Sequence, residues 1–98
     1  MIKAKFFKNE SNELCGFEVK NHGDPIVCSA VSVLTLNTVN GIETFTDCST
    51  VCEYEENGGY IKLMAEDAGD DTKLLLKALE LGLVSLQNEY PKHIRIVS

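Results

Sequence analysis

The sequence predicts an α+β fold, a single compact domain with a mostly antiparallel β-sheet and two helices in the order ββαββαβ. Three observations carry this. Short stretches rich in β-formers alternate with turn signals. Two longer stretches repeat apolar residues at helical spacing. The length of 98 residues suits one hydrophobic core and leaves nothing for a second domain.

Residues 2–7 and 14–19 flank the polar run Asn9-Glu10-Ser11-Asn12-Glu13, which is a hairpin signal. Asp24-Pro25 is the clearest helix start: the Asp side chain can cap open N–H groups, and Pro suits the first helical position because it has no N–H to lose. Behind it Ile26, Val27, Ala30, Val31, Leu34, Val39 and Ile42 recur at near-helical spacing, and Gly41 marks the expected terminator region. This helix is rich in β-branched residues, so packing is expected to hold it more than propensity. Residues 50–54 and 60–64 flank Asn57-Gly58-Gly59, a second hairpin whose turn needs positive φ. Gly69-Asp70-Asp71-Thr72 opens the second helix with acids at its positive end. Its stripe is Leu75, Leu76, Leu79, Leu83 and Leu86, and Leu74, Leu81 and Val84 widen it, as in a helix that is sandwiched or buried in a dimer. Pro91 stops it, and residues 94–97 alternate as a last strand.

Composition narrows the function classes. An apolar fraction of 44% with 24% charged residues argues against a membrane protein or a disordered tail. The net charge is −6, from 15 acidic and 9 basic residues, and the basic residues are scattered along the chain. Nucleic-acid binding needs clustered cations, so no direct nucleic-acid partner is expected and a basic polypeptide suits the chain better. The sequence shows neither a signal-peptide pattern nor a run of roughly 18 uninterrupted apolar residues. A cytoplasmic location is expected, with Cys15, Cys28, Cys48 and Cys52 as thiols.

The one constellation that carries chemistry is His22 with Cys28. His22 precedes the helix cap and Cys28 lies in the first helical turn. A thiol there meets the positive end of the helix dipole, and a neighbouring imidazole can pair with the thiolate or take its proton. The open N–H groups of the same turn are candidate oxyanion donors. Ser29 and Ser32, beside and one turn beyond Cys28, are candidates for contacting substrate or oxyanion, and Ser32 reads equally as a solvated helix position. No third, histidine-orienting residue is evident.

The stretch Asn21-His22-Gly23-Asp24-Pro25-Ile26-Val27-Cys28-Ser29-Ala30-Val31-Ser32-Val33-Leu34 resembles the signature of the ribosomal-processing cysteine protease Prp (YsxB-like) family. The hairpin Asn57-Gly58-Gly59-Tyr60 and the ending from Leu86 to Arg95 extend the likeness over nearly the whole chain. The resemblance implies a homodimeric cysteine endopeptidase that removes the short N-terminal extension of a large-subunit ribosomal protein, the one known as bacterial L-twenty-seven, and so supports ribosome assembly. It implies Cys28 as nucleophile, His22 as general base, and no cofactor or metal. The chain departs from the pattern at Asn21, where the family shows Gly, at Gly23 and Ser29, where it shows Ala, and in a shorter loop between His22 and Cys28.

Other readings stand beside this one. The second function class is a non-catalytic, ribosome-assembly-associated binding protein that merely packs its thiol, and a third is a thiol redox sensor. Cys48 and Cys52 read as structural, since two thiols do not close a zinc site. Cys15 reads as core, His93 as solvated, and Asp24 as a helix cap.

Overall fold

In the computed structural model, which describes residues 1–97, the elements are β1 (Ile2–Lys8), β2 (Leu14–Lys20), α1 (Pro25–Phe45), β3 (Ser49–Tyr54), β4 (Tyr60–Glu66), α2 (Asp70–Glu89) and β5 (Ile94–Val97). The order is the one the sequence predicts. The strands form one five-stranded sheet in the order β3-β4-β2-β1-β5. Pairs β1–β2, β2–β4 and β3–β4 are antiparallel, while β5 runs parallel to β1. That parallel pair needs a long crossover, and the chain from β2 through α1, the second hairpin and α2 supplies it.

Alternation along the strands sends Ile2, Ala4, Phe17, Val19, Leu63 and Ile94 into one buried cluster, where they meet Val27, Val31, Val39 and Ile42 of α1 and Leu76, Leu79 and Leu83 of α2. Burying such side chains stabilises by roughly 1.5–3 kcal/mol each. The helices pack on each other as well as on the sheet. Gly82 of α2 makes room for this, because a β-carbon there would stand 3.2 Å from Leu34 Cδ1.

Three expectations are corrected. Gly41 does not end α1. The helix continues to Phe45 and stops where the Thr46 N–H and Oγ1 both donate to the Ile42 carbonyl, at 3.2 and 2.7 Å. Gly41 instead faces Leu75 of α2. Ile26 belongs to the apolar run but is 71% exposed, because it leads the helix on its outer side. Cys15 is not core. Phe7 pairs with Gly16 and Lys8 with Leu14, so Cys15 is the extra residue of a β-bulge and only half-buried.

Helix α1, with 21 residues and a mean hydropathy of 1.4, is by length and composition long and apolar enough to cross a membrane. Ser, Thr and Asn interrupt every apolar run within it while lowering the mean only a little, so it holds no uninterrupted apolar stretch of spanning length. In the fold its inner stripe is buried in the core, and its first turn carries the thiol.

Candidate active site

The site is assembled where β2 ends. Pairing Lys20 with Tyr60 brings the end of β2 beside the tip of the β3–β4 hairpin. The chain then turns at Asn21, whose φ of 74° lies in the left-handed region that Gly adopts freely and Asn tolerates. This explains how Asn stands where the family pattern shows Gly. The Asn21 N–H donates to the Gly59 carbonyl at 3.0 Å, and its Nδ2 donates to the Met1 carbonyl at 3.3 Å. His22 follows directly.

Asp24 then caps α1 as expected, its Oδ2 accepting from the N–H groups of Ile26 at 3.1 Å and Val27 at 3.4 Å. The Cys28 N–H donates to the Asp24 carbonyl at 2.8 Å, which closes the first turn. The structure therefore corrects one expectation. The first-turn N–H groups of Ile26, Val27 and Cys28 are already engaged, so they are not open oxyanion donors. Any such donor must come from elsewhere in the cleft.

His22 and Cys28 do meet. Cys28 Sγ lies 4.0 Å from His22 Nδ1, a contact that a bound substrate would need to tighten. The pair opens into a cleft lined also by Ser29, Ser32, Val33, Asn57 and Gly58. Both candidate serines thus line the same cleft as the thiol. Ser32 and Gly58 also line an adjoining cavity of about 200 Å³ whose walls are Thr35, Leu36, Tyr54, Tyr60 and Ile61, with Glu55 and Glu56 at its edge. The cavity combines an apolar wall with an acidic rim.

Among the described residues, no carboxylate hydrogen-bonds or ion-pairs with His22. The ring instead lies against the hairpin tip: a β-carbon on Gly59 would stand 3.0 Å from His22 Nε2, and one on Gly58 would stand 3.9 Å from Cε1. The tip is a five-residue loop, Glu55 to Gly59, in which only Gly58 takes positive φ, at 82°. Asn57, Gly58 and Gly59 are site residues that reading the sequence as elements placed only in a turn. The signal that would find them is the β2–β4 pairing, which element order does not give.

Beside the cleft, Tyr60 donates its hydroxyl to Glu18 Oε2 at 2.8 Å, and that bond is the main reason its phenol is pushed up to about 12. The Cys52 thiol is also pushed up, first by burial and then by Glu43 and Glu53. Cys48 and Cys52 pack against the core. Among the described residues, no three or more His, Cys, Asp or Glu side chains are grouped to hold a metal ion.

An α+β domain that opens a thiol and an imidazole into one cleft, with an apolar cavity alongside, belongs by class with the cysteine proteases. The family model for the cysteine protease Prp matches residues 1–95, and the chain belongs to that family. It is 29% identical over 76 residues to the ribosomal processing cysteine protease Prp of Staphylococcus aureus (strain Mu50), covering 76% of this chain and 72% of that one. It is 20% identical to the protein of the same name from Bacillus subtilis, covering all of this chain and 97% of the relative. The crystal structure of the essential ribosomal processing protease Prp from S. aureus with a covalently linked product peptide superposes with a TM-score of 0.91 at 26% identity, covering 98% of this chain and 97% of that one. A crystal structure from Streptococcus mutans gives a TM-score of 0.85 at 30% identity, over 98% and 95% of the two chains.

Proposed function

We propose that this protease removes the short N-terminal extension of a large-subunit ribosomal protein of the bacterial L-twenty-seven type, in the cytoplasm, and thereby supports ribosome assembly. The observation that carries the reading is the approach of Cys28 Sγ to His22 Nδ1 at 4.0 Å, in a cleft that shares Ser32 and Gly58 with the apolar, acid-rimmed cavity beside it. His22 takes the thiol proton, and Cys28 attacks the scissile carbonyl carbon, forming a carbon–sulfur bond. The peptide carbon–nitrogen bond then breaks as His22 gives that proton to the leaving amine, which leaves a thioester. His22 next draws a proton from water, whose oxygen bonds to the thioester carbon; the carbon–sulfur bond breaks, the peptide leaves with its new carboxyl group, and His22 returns the proton to the Cys28 sulfur. With the first-turn N–H groups engaged, Ser29 and Ser32 are the hydroxyls on the cleft wall that can contact substrate or the oxyanion. Glu55 and Glu56 suit the basic residues in which ribosomal proteins are rich.

The working form is a homodimer in this reading. Leu74 and Leu81, one face of α2, are 66% and 69% exposed, and covering them is a reason for a second copy to bind.

The deciding experiment is mass spectrometry of the host's extended ribosomal protein after incubation with wild-type protein and with Cys28→Ala. Release of one defined N-terminal peptide by the wild type only is expected. Intact protein in both reactions would overturn the reading and favour a binding role in ribosome assembly.

A further inference from the structure

The imidazole of a Cys–His pair must be held with one nitrogen toward the thiol, and a carboxylate or amide that hydrogen-bonds the other nitrogen usually does this. Among the described residues, His22 has no such carboxylate. Its Nδ1 edge faces Cys28, and its opposite edge, with Nε2 and Cδ2, lies over Gly59. A β-carbon there would stand 3.0 Å from Nε2 and 3.5 Å from Cδ2. We infer that Gly59 is the positioning residue for His22: its bare α-carbon is the seat that sets the imidazole's distance and tilt toward Cys28.

A seat works only if it does not yield, and four bonds fix this one. The Gly59 carbonyl accepts from Asn21 N–H at 3.0 Å, which ties it to the residue before His22. The Gly59 N–H donates to Asn57 Oδ1 at 3.1 Å. The Gly58 N–H donates to the Glu55 carbonyl, and the Glu55 N–H to the Tyr60 carbonyl, both at 3.0 Å. Ring and seat thus hang from one rigid corner of the sheet. The requirement for glycine here is spatial. Gly59 is not among the residues with positive φ, whereas Gly58 is, at 82°.

That difference separates the two glycines by experiment. Ala at Gly58 meets a strained backbone and lowers thermal stability. Ala or Val at Gly59 fits the backbone but drives a side chain into the imidazole. A displacement approaching an ångström costs up to about a hundredfold in rate.

The inference rests on the His22–Cys28 pairing, so the test measures both. The rate of alkylation of Cys28 by iodoacetamide at neutral pH, located by peptide mass spectrometry, is compared for wild type, His22→Ala, Gly59→Ala, Gly59→Val and the double variant Gly59→Val/His22→Ala. Alkylation is expected to slow by a few-fold in Gly59→Ala and by about tenfold in Gly59→Val. The double variant should be no slower than His22→Ala, because Gly59 acts only through the ring. On substrate peptide the same variants should lose kcat with little change in KM. Unchanged alkylation in Gly59→Val alongside a slowed His22→Ala would overturn the seat and leave the pair standing. Additive losses in the double variant would also overturn it, since they would mean a general structural defect. If His22→Ala itself reacts like wild type, the pair falls and the seat falls with it. Should Gly59→Val fold poorly, the smaller Gly59→Ala, judged by the same non-additivity, decides.

Discussion

The backbone N–H of Asn21 donates to the carbonyl of Gly59 at 3.0 Å, and this one bond joins the residue that aims His22 to the turn on which its ring rests. It continues the β2–β4 ladder by one step beyond the pairing of Lys20 with Tyr60. The position of the imidazole is thus inherited from sheet register. Cys28 is placed independently, by the capped start of α1. The site is the meeting point of a sheet corner and a helix end.

Asn21 holds its φ of 74° because Gly and Asn are the residues that enter the left-handed region at low cost. An ordinary side chain there costs roughly 1–2 kcal/mol. Asn21→Gly should therefore keep close to wild-type stability and activity, losing only the side-chain bond to Met1. Asn21→Val should lower the unfolding free energy by about 2 kcal/mol and reduce turnover more than stability alone explains. Urea denaturation with peptide-cleavage assays checks both. An Asn21→Val protein as stable as wild type would contradict the account.

The thiols should separate by reactivity. Burial, reinforced by Glu43 and Glu53, keeps the Cys52 thiol protonated further up the pH scale than an ordinary cysteine, and the protonated form does not alkylate. Cys28 opens into the cleft beside an imidazole. With limiting iodoacetamide at neutral pH, Cys28 should be labelled well before Cys52, and Glu53→Gln should speed Cys52 slightly. Site-resolved mass spectrometry checks the order; Cys52 reacting first would refute it.

The strands, helices and their order were legible because alternation, helical spacing, Asp24-Pro25 and Pro91 are local signals, each readable within a few residues. The pairing of β5 beside β1 and of β2 beside β4 was not, since pairing partners are a tertiary choice. For that reason His22 and Cys28 could be named from sequence, both lying within one short segment, while Gly58 and Gly59 could not be placed against the ring. Gly41 is ambiguous in sequence because a glycine at a helix–helix contact has the same letter as one that ends a helix. Cys15 departs from the core expectation because a bulge shifts the alternation by one residue. The oxyanion expectation failed on a subtler point: the Asp24 that marks the helix start also occupies the N–H groups such a start would otherwise offer.

Thr72, in the first turn of α2, is fully buried, and its Oγ1 has no hydrogen-bond partner among the described residues. A buried hydroxyl without a partner carries its desolvation cost uncompensated. Thr72→Val keeps the shape and removes that cost, so it should raise the unfolding free energy by about 1 kcal/mol. Thr72→Ala, which opens a small cavity instead, should not. Guanidinium or thermal denaturation of the two variants distinguishes them; destabilisation by Val would show that the hydroxyl is satisfied in solution.

Tyr60 supplies the last prediction, in alkaline solution. Its hydroxyl donates to Glu18 at 2.8 Å, and a neutral phenol keeps that bond whereas a phenolate beside the carboxylate would lose it. The bond is the first cause, and burial and the charges of Glu18, Glu53 and Glu55 follow, in raising this phenol from its ordinary 10.0 to about 12. Because the folded value lies above the unfolded one, the folded state holds the proton more tightly. The stability this gives is fully present below pH 10.0 and is lost as the pH rises through about 12. Tyr60→Phe should flatten the fall in melting temperature across that window and remove the latest step from the tyrosinate ultraviolet titration. Glu18→Gln should keep the step but move it to lower pH. If the wild-type titration shows no step near 12, the Tyr60–Glu18 bond does not hold in solution.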